Sequence, residues 1–228
     1  MHTSRKGEKT VNNHFKLYGI TNRECLGNVP LIDAVKAALE GGITCIQYRE
    51  KRYSKSMETM TEEEREELIN IRRLCKVYQV PFIVNDNIEL AKMLNADGVH
   101  IGRDDEKVSD ARKLLGEEAI IGVTAKTVDE AMSAYENGAS YLGCGAVFGS
   151  QTKKEAKPME IGVLKDICNS VPIPVVAIGG ITLDNLKELG NVGIAGVAII
   201  KGIFGEKDIE KTCKRYIEIV DGIVNKSI

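Results

Sequence analysis

Short apolar segments alternate with longer amphipathic segments along most of the chain. The short segments are rich in Val, Ile and Tyr, which favours strands, and the longer ones carry apolar residues at helical spacing. We predict strands at 16–21, 43–49, 81–86, 98–101, 120–124, 141–147, 175–178 and 196–200. We predict helices that begin near Leu31, Thr61, Asn87, Ser109, Thr127, Gly162, Thr182 and Asp208. This alternation indicates repeated β-α units and a parallel sheet.

The predicted helix at Thr61 shows the local signals. Thr61 and Glu64 have the spacing of a capping box, and the acidic residues at 62–67 suit the positive end of a helix dipole. Apolar residues then follow at helical spacing. The acidic run is interpreted as a solvated helix face, and the alternative is a metal or cation patch.

Eight β-α units in 228 residues predict a single (β/α)8 TIM barrel at 16–228, after a short disordered N-terminal tail at 1–15. A doubly wound open sheet is the alternative fold. The active site of a TIM barrel lies at the carboxyl ends of its strands. Polar residues that end a predicted strand are therefore the first candidates for function.

Charge and composition narrow the ligand class. The chain has 31 Lys and Arg against 33 Asp and Glu, and its net charge of −2 argues against nucleic-acid or membrane-surface binding. No apolar run approaches the roughly 18 residues that span a bilayer. We therefore expect small-molecule partners, no nucleic acid and no membrane, and we leave a homo-oligomer open. Six scattered cysteines without a CxxC pair predict free thiols and a cytoplasmic location.

The first polar cluster lies in the segment IQYREK. A period of two places Gln47, Arg49 and Lys51 on one strand face. An amide and two cations at a barrel mouth suit a polyanion, because Arg forks onto phosphate oxygens and Lys acts as a point charge. The alternative is a strand end with solvated charges.

Carboxylates follow the third and fourth predicted strands. Asn85 and Asp86 come directly after FIV, and Asp105 comes just beyond HIGRD. Two carboxylates with few other ligands fit a Mg²⁺ that keeps several waters and takes oxygens from a substrate phosphate. The alternatives are a helix N-cap for Asp86 and an exposed turn for Asp105.

The later strand ends are rich in hydroxyl groups, lysines and glycines. Ser150, Thr152 and Lys153 lie in a long polar loop that either clasps a substrate or is simply flexible. Gly179 and Gly180 end the seventh strand, and Gly202 follows the eighth. Loops after strands seven and eight are the usual phosphate site of these barrels, although tight turns also need glycine.

Six ordered segments, QYREK, FIVNDN, ADGVHIGRDD, IIGVTAKT, GAVFGSQTKK and VVAIGGIT, make the chain resemble the thiamine-phosphate synthase family. The resemblance extends from about Leu17 to Phe204. It implies a transferase that joins a hydroxymethylpyrimidine diphosphate to a thiazole phosphate, or to its carboxylated precursor, and releases pyrophosphate. It also implies a dissociative substitution, in which pyrophosphate leaves before the thiazole nitrogen attacks.

The resemblance further implies roles for individual residues. Asp86 and Asp105 would bind Mg²⁺, and Arg49, Lys51 and Lys153 would act catalytically on the diphosphate. The implied substrate-binding residues are Gln47, Tyr48, Arg49, Glu50, Lys51, Asn85, Thr124, Ser150, Thr152, Lys153, Gly180, Ile200 and Lys201. Lys201 occupies a position where the family usually has serine.

Two other functions remain open at this stage. A related thiazole tautomerase shares the barrel, but Lys126 stands where its catalytic histidine is expected, and the proposed Mg²⁺ residues are retained. A non-catalytic binder of thiamine precursors would keep the anion-binding residues without needing Mg²⁺ or turnover.

Overall fold

Eight parallel strands close into a barrel in the computed structural model, which describes residues 14–53, 60–102, 108–149 and 158–224. Each strand pairs with the next, and β8 pairs with β1. The strands are β1 Leu17–Ile20, β2 Cys45–Tyr48, β3 Phe82–Asn85, β4 Gly98–Ile101, β5 Ile120–Ala125, β6 Tyr141–Gly145, β7 Val175–Ile178 and β8 Gly196–Ile199. The predicted TIM barrel is confirmed, and closure excludes the open sheet.

Seven strands lie within their predicted segments, and β5 extends one residue further, to Ala125. The described helices are α1 Leu31–Glu40, α2 Glu62–Val77, α3 Ile88–Met93, α4 Val108–Leu115, α5 Val128–Glu136, α6 Ile161–Ser170, α7 Lys201–Phe204 and α8 Ile209–Val224. Three short 3₁₀ helices are also described: η1 Arg23–Cys25, η2 Lys51–Tyr53 and η3 Leu186–Leu189.

Local side-chain chemistry explains where several helices begin. The backbone N–H of Glu64 donates to Thr61 Oγ1 (3.3 Å), and the backbone N–H of Thr61 donates to Glu64 Oε2 (3.0 Å), which confirms the capping box. Asn87 and Thr127 cap α3 and α5 through their side chains alone, which accept from the backbone N–H groups of Leu90 and Glu130. These caps start each helix at a defined distance from its strand.

The prediction of a helix that begins near Thr182 is wrong. The segment turns and then forms only the 3₁₀ helix η3. Asn185 explains the difference, because its side chain accepts from the backbone N–H of Thr182 (2.8 Å) and donates to the carbonyl of Gly180 (2.9 Å). These local bonds compete with a regular helix and hold the loop after β7 instead.

The main apolar core lies between the barrel and its helices, and a smaller, separate apolar cluster fills the barrel interior below the strand ends. Phe15, assigned from the sequence to the tail, is instead fully buried and stacks on Tyr141 with ring centroids 4.3 Å apart. Lys16 Nζ lies 2.7 Å from Asp221 Oδ1 in α8. The folded part therefore begins before β1, and the interior is packed beneath the site described next.

The six cysteines are free thiols, as predicted. Within the described ranges, no helix combines the length and apolar character needed to cross a membrane.

Candidate active site

A cavity of about 460 Å³ opens among the strand ends. It brings together eight residues that the sequence predicted for the site: Gln47, Arg49, Asn85, Asp86, Thr124, Gly180, Ile200 and Lys201. Five different strands, β2, β3, β5, β7 and β8, or the segments directly after them supply these residues. The barrel therefore gathers into one pocket groups that are far apart in the sequence.

Three predicted residues at and just after the end of β2, Tyr48, Glu50 and Lys51, do not line this cavity. The strand ends at Tyr48, and Lys51 begins η2, so the period of two does not extend to Lys51, which is exposed. Tyr48 is buried in the layer between barrel and helices. A substrate-binding role for these three residues stays a prediction.

Four further predicted residues lie outside the described residues. They are Asp105, Ser150, Thr152 and Lys153. Their roles at the metal, the thiazole phosphate and the diphosphate also stay predictions.

Glu50 belongs to an ion-pair cluster at the outer edge of the site. Its carboxylate oxygens lie 3.8 Å from Arg23 Nε and 3.8 Å from Arg52 Nε. Arg23 also pairs with Glu67, and Arg52 Nη2 lies 2.9 Å from Glu64 Oε1. The cluster joins the loop after β1 to the first turns of α2. It therefore anchors the short segment that carries Arg49.

Asp86 lies in the cavity rather than at a helix cap. Asn87 caps α3, since its Oδ1 accepts from the backbone N–H of Leu90 (2.8 Å), so the N-cap alternative for Asp86 is wrong. Asp86 has a φ of 63°, and its backbone N–H donates to the carbonyl of His100 (2.8 Å). The Asn85 amide donates to Asp86 Oδ2. This turn aims a carboxylate at the pocket.

Among the described residues, Asp86 and Asn85 have side chains that suit Mg²⁺. The Asp86 carboxylate and the neighbouring Asn85 amide line the same cavity as Arg49. Mg²⁺ binds through one or two carboxylates together with waters and substrate phosphate oxygens, so a cage of protein ligands is not required. No cluster of three or more metal-ligating side chains occurs within the described ranges.

The loop after β7 brings bare backbone to the other side of the cavity. Gly179 and Gly180 have φ values of 103° and 65°. A Cβ on Gly180 would lie 2.4 Å from the carbonyl oxygen of Phe148, so glycine is needed there for conformation and for space. Lys201 lines the same cavity at the start of α7. Exposed amide groups and a lysine at this position suit a phosphate.

Sequence reasoning missed the polar floor of the cavity. Gln47 Nε2 donates to Tyr18 Oη (2.8 Å), which lies 2.8 Å from Tyr141 Oη. His100 connects the second phenol to Thr124, with distances of 2.9 Å from Nδ1 to Tyr141 Oη and 3.1 Å from Nε2 to Thr124 Oγ1. A search of the carboxyl ends of strands does not select these residues, because Tyr18 and His100 lie inside their strands and Tyr141 begins β6. The sequence signal that could have found these three residues is a polar side chain within an otherwise apolar strand.

The cavity is equipped for binding and charge stabilisation. Its described lining contains cations, the carboxylates of Asp86 and Glu206, amides and exposed glycine backbone, but no cysteine or serine. Burial raises the pKa of the Cys144 thiol to about 12 and that of Cys213 to about 12. These thiols are therefore protonated at neutral pH. The described groups suit a reaction in which the substrates supply both nucleophile and leaving group.

A closed (β/α)8 barrel with a cavity at the carboxyl ends of its strands is the architecture of an enzyme that acts on small molecules. The family model for thiamine monophosphate synthase matches residues 17–203. The chain therefore belongs to the thiamine monophosphate synthase family.

Individual relatives agree with this assignment. The chain is 39% identical over 206 residues to a thiamine-phosphate synthase of Clostridium acetobutylicum, covering 90% of this chain and 95% of that protein. It is 38% identical over 213 residues to a thiamine-phosphate synthase of Ruminiclostridium cellulolyticum, covering 93% and 97%. The solved thiamine phosphate pyrophosphorylase from Pyrococcus furiosus superposes with a TM-score of 0.82 at 36% identity, covering 93% of this chain and 98% of that one.

Proposed function

We propose that this family member is a thiamine-phosphate synthase that works with Mg²⁺. It joins 4-amino-2-methyl-5-hydroxymethylpyrimidine diphosphate to 4-methyl-5-(2-hydroxyethyl)thiazole phosphate, or to its carboxylated precursor. The products are thiamine phosphate and pyrophosphate. The observation that carries the proposal is the meeting of Gln47, Arg49, Asp86, Thr124 and Gly180 in one cavity.

The pyrimidine diphosphate would occupy the side of the cavity formed by β2, β3 and β5. Gln47 and Thr124 offer hydrogen bonds to the heterocycle, and Asn85 offers its amide. Arg49 is half-buried at the rim, where its guanidinium can fork onto phosphate oxygens. Lys51 and Lys153 are proposed to contact the same diphosphate.

The thiazole phosphate would bind across the cavity, at the loops after β7 and β8. Gly180 presents its backbone there, and Ile200 and Lys201 lie beside it. Ser150 and Thr152 are proposed to cover this substrate. Two anion sites on opposite sides of one cavity would bring the thiazole nitrogen towards the pyrimidine methylene carbon.

Asp86 and Asp105 would hold the Mg²⁺. Bound there, the ion would neutralise charge on the diphosphate as it leaves.

The proposed reaction is a substitution at the exocyclic methylene of the pyrimidine. The carbon–oxygen bond to the diphosphate breaks with its electron pair on oxygen, which leaves a pyrimidine-stabilised cation. The thiazole nitrogen then forms the new carbon–nitrogen bond with its lone pair. Arg49 stabilises the charge that develops on the leaving group, and the cavity holds both substrates in line.

Two observations weigh against the tautomerase and the silent binder. Lys126 lines the cavity at the position where the tautomerase is expected to use histidine. The Asp86 carboxylate also faces the cavity, where a silent anion binder would gain nothing from a negative charge.

The decisive assay supplies both substrates to the purified protein, with Mg²⁺ or with a chelator. We expect equal amounts of pyrophosphate and thiamine phosphate, and only with Mg²⁺. Binding of either substrate to folded protein without any product would reject the synthase in favour of the binder or the tautomerase.

Lys201 should strengthen binding of the thiazole phosphate. We expect Lys201→Ser to raise the KM for this substrate about tenfold, because an ion pair to a phosphate is lost while the backbone site stays in place. The KM for the pyrimidine diphosphate should stay within about twofold, since Lys201 lies on the other side of the cavity. Steady-state kinetics with each substrate varied in turn measures both values. An unchanged thiazole-phosphate KM would remove Lys201 from that site.

Glu50 should act by positioning the segment that carries Arg49. We expect Glu50→Gln to raise the KM for the pyrimidine diphosphate about three- to tenfold, because the segment loses its ionic contacts with Arg23 and Arg52. Glu188→Gln, at an exposed position of η3, is the control for the charge change. A kcat that falls a hundredfold with an unchanged KM would instead place Glu50 at the reacting groups.

A further inference from the structure

We propose that Tyr18, Tyr141 and His100 form a hydrogen-bond relay that sets the donor and acceptor roles of Gln47 and Thr124 towards the pyrimidine. This inference rests on the proposed substrate. It assigns specificity for a 4-amino heterocycle to three residues that lie beneath the substrate-binding side chains.

The relay crosses the barrel interior. It runs from Gln47 on β2 to Tyr18 on β1, then to Tyr141 on β6, His100 on β4 and Thr124 on β5. Each of its four hydrogen-bond distances lies between 2.8 and 3.1 Å. Because Gln47 and both phenols are buried, the bonds from Gln47 to Tyr18 and from Tyr18 to Tyr141 are shielded from competition with bulk water, whereas the two bonds of His100 are partly buried.

The surrounding chain is built to hold this relay. A Cβ on Gly122 would lie 2.1 Å from the Tyr141 ring, and one on Gly143 would lie 2.9 Å from His100 Cε1. Glycine at these two strand positions therefore makes the space that the rings occupy. Phe15 stacks on Tyr141 from below, with ring centroids 4.3 Å apart. The relay is therefore a packed feature with little freedom to shift.

The relay has a direction because each phenol has one proton to donate. Burial, reinforced by Tyr141, raises the pKa of Tyr18, and burial, reinforced by Cys45, raises that of Tyr141, so both rings are neutral. Tyr18 accepts from Gln47 Nε2 and must donate onward to Tyr141. Tyr141 in turn donates to His100 Nδ1. This direction is favoured because a phenol is a better donor than a neutral imidazole, and an imidazole nitrogen is a better acceptor than a phenol.

The two ends of the relay then have defined roles. In the proposed relay Nδ1 of His100 accepts, and the tautomer that matches this role carries its proton on Nε2 and donates to Thr124 Oγ1. The Thr124 hydroxyl can then donate its proton to an acceptor on the substrate. The side-chain carbonyl of Gln47 can accept from a donor on the substrate. Gln47 and Thr124 are therefore complementary to a heterocycle that presents an amino donor to Gln47 and a ring-nitrogen acceptor to Thr124. A 4-oxo pyrimidine presents the reverse pattern and would leave buried groups mismatched.

The test compares the 4-amino pyrimidine diphosphate with its 4-oxo analogue. Dissociation constants from titration calorimetry in Mg²⁺ and kcat/KM values with thiazole phosphate are measured for wild type, Tyr141→Phe, Tyr18→Phe and the double variant. Each variant keeps its ring and removes one hydroxyl. Tyr135→Phe, on the exposed face of α5, is the control.

We expect wild type to bind the 4-amino compound at least about tenfold more tightly, and each relay variant to lose most of that preference. The KM for thiazole phosphate should not change. The double variant should be little worse than either single variant, because one missing hydroxyl already interrupts the relay. Tyr135→Phe should behave as wild type.

The outcomes separate the relay from the function. Wild type that makes thiamine phosphate without preferring the amino compound overturns the relay and leaves the synthase standing. Variants that lose thermal stability but keep the full preference also overturn it, because the hydroxyls would then be only structural. Binding preference that depends on Tyr141 without any turnover supports the relay and rejects the synthase. A folded wild-type protein that binds neither pyrimidine diphosphate rejects both the relay and the synthase function.

Discussion

Replacing Asp86 with alanine should lower kcat at least about a hundredfold, which corresponds to about 2.7 kcal/mol of activation free energy. The expected cause is the loss of a carboxylate that would hold Mg²⁺ against the leaving diphosphate. Turnover is measured at saturating Mg²⁺ and saturating concentrations of both substrates. Titration of the protein with Mg²⁺ in the presence of pyrimidine diphosphate should show weakened metal binding in parallel.

Asp86→Asn is the sharper form of this experiment. Asp86 has a φ of 63°, which strains alanine but suits asparagine, so the asparagine variant removes the charge and keeps the turn. We expect it to retain the wild-type melting temperature and to lose kcat to the same extent. Asp166→Asn, exposed on α6, is the charge-matched control. Near-normal turnover of Asp86→Asn would remove this carboxylate from the mechanism.

The second large effect is expected at Arg49. Arg49→Ala should lower kcat/KM for the pyrimidine diphosphate by about a hundredfold, because a preorganised charged donor at the leaving group is lost. Arg49→Lys should recover only part of this loss, since an ammonium group cannot fork onto two phosphate oxygens. The KM for thiazole phosphate should stay within about twofold in both variants.

Arg73→Ala, on the exposed face of α2, controls for the loss of one positive charge. A full recovery of kcat/KM by Arg49→Lys would mean that Arg49 contributes charge alone. An equal loss of kcat/KM for the pyrimidine diphosphate and for the thiazole phosphate would instead indicate that Arg49 supports the structure of the whole cavity.

The Glu50 segment shows where sequence periodicity ends. The alternation in IQYREK correctly places Gln47 and Arg49 towards the cavity. It fails for Lys51 because β2 stops at Tyr48 and the chain enters η2. The ion pairs of Glu50 with Arg23 and Arg52 join neighbouring loops, and the period of a single strand contains no information about them.

The Asp86 turn shows a choice that the sequence left open. Either Asp86 or Asn87 has the chemistry of an N-cap. The structure gives that role to Asn87, because its Oδ1 lies 2.8 Å from the backbone nitrogen of Leu90. Asp86 is then available to the cavity. Only the path of the chain after β3 distinguishes the two residues.

The sequence by itself determined the eight strands, most helix starts and the residues that end the strands. These features depend on local periodicity, capping and turn chemistry, which act between residues close in the chain. Tertiary structure alone decided which side chains meet inside the barrel. Tyr18 and Tyr141 are 123 positions apart, yet their hydroxyl oxygens lie 2.8 Å from each other. Barrel closure produces that contact, because it places strands that are not neighbours in the sheet around one shared interior.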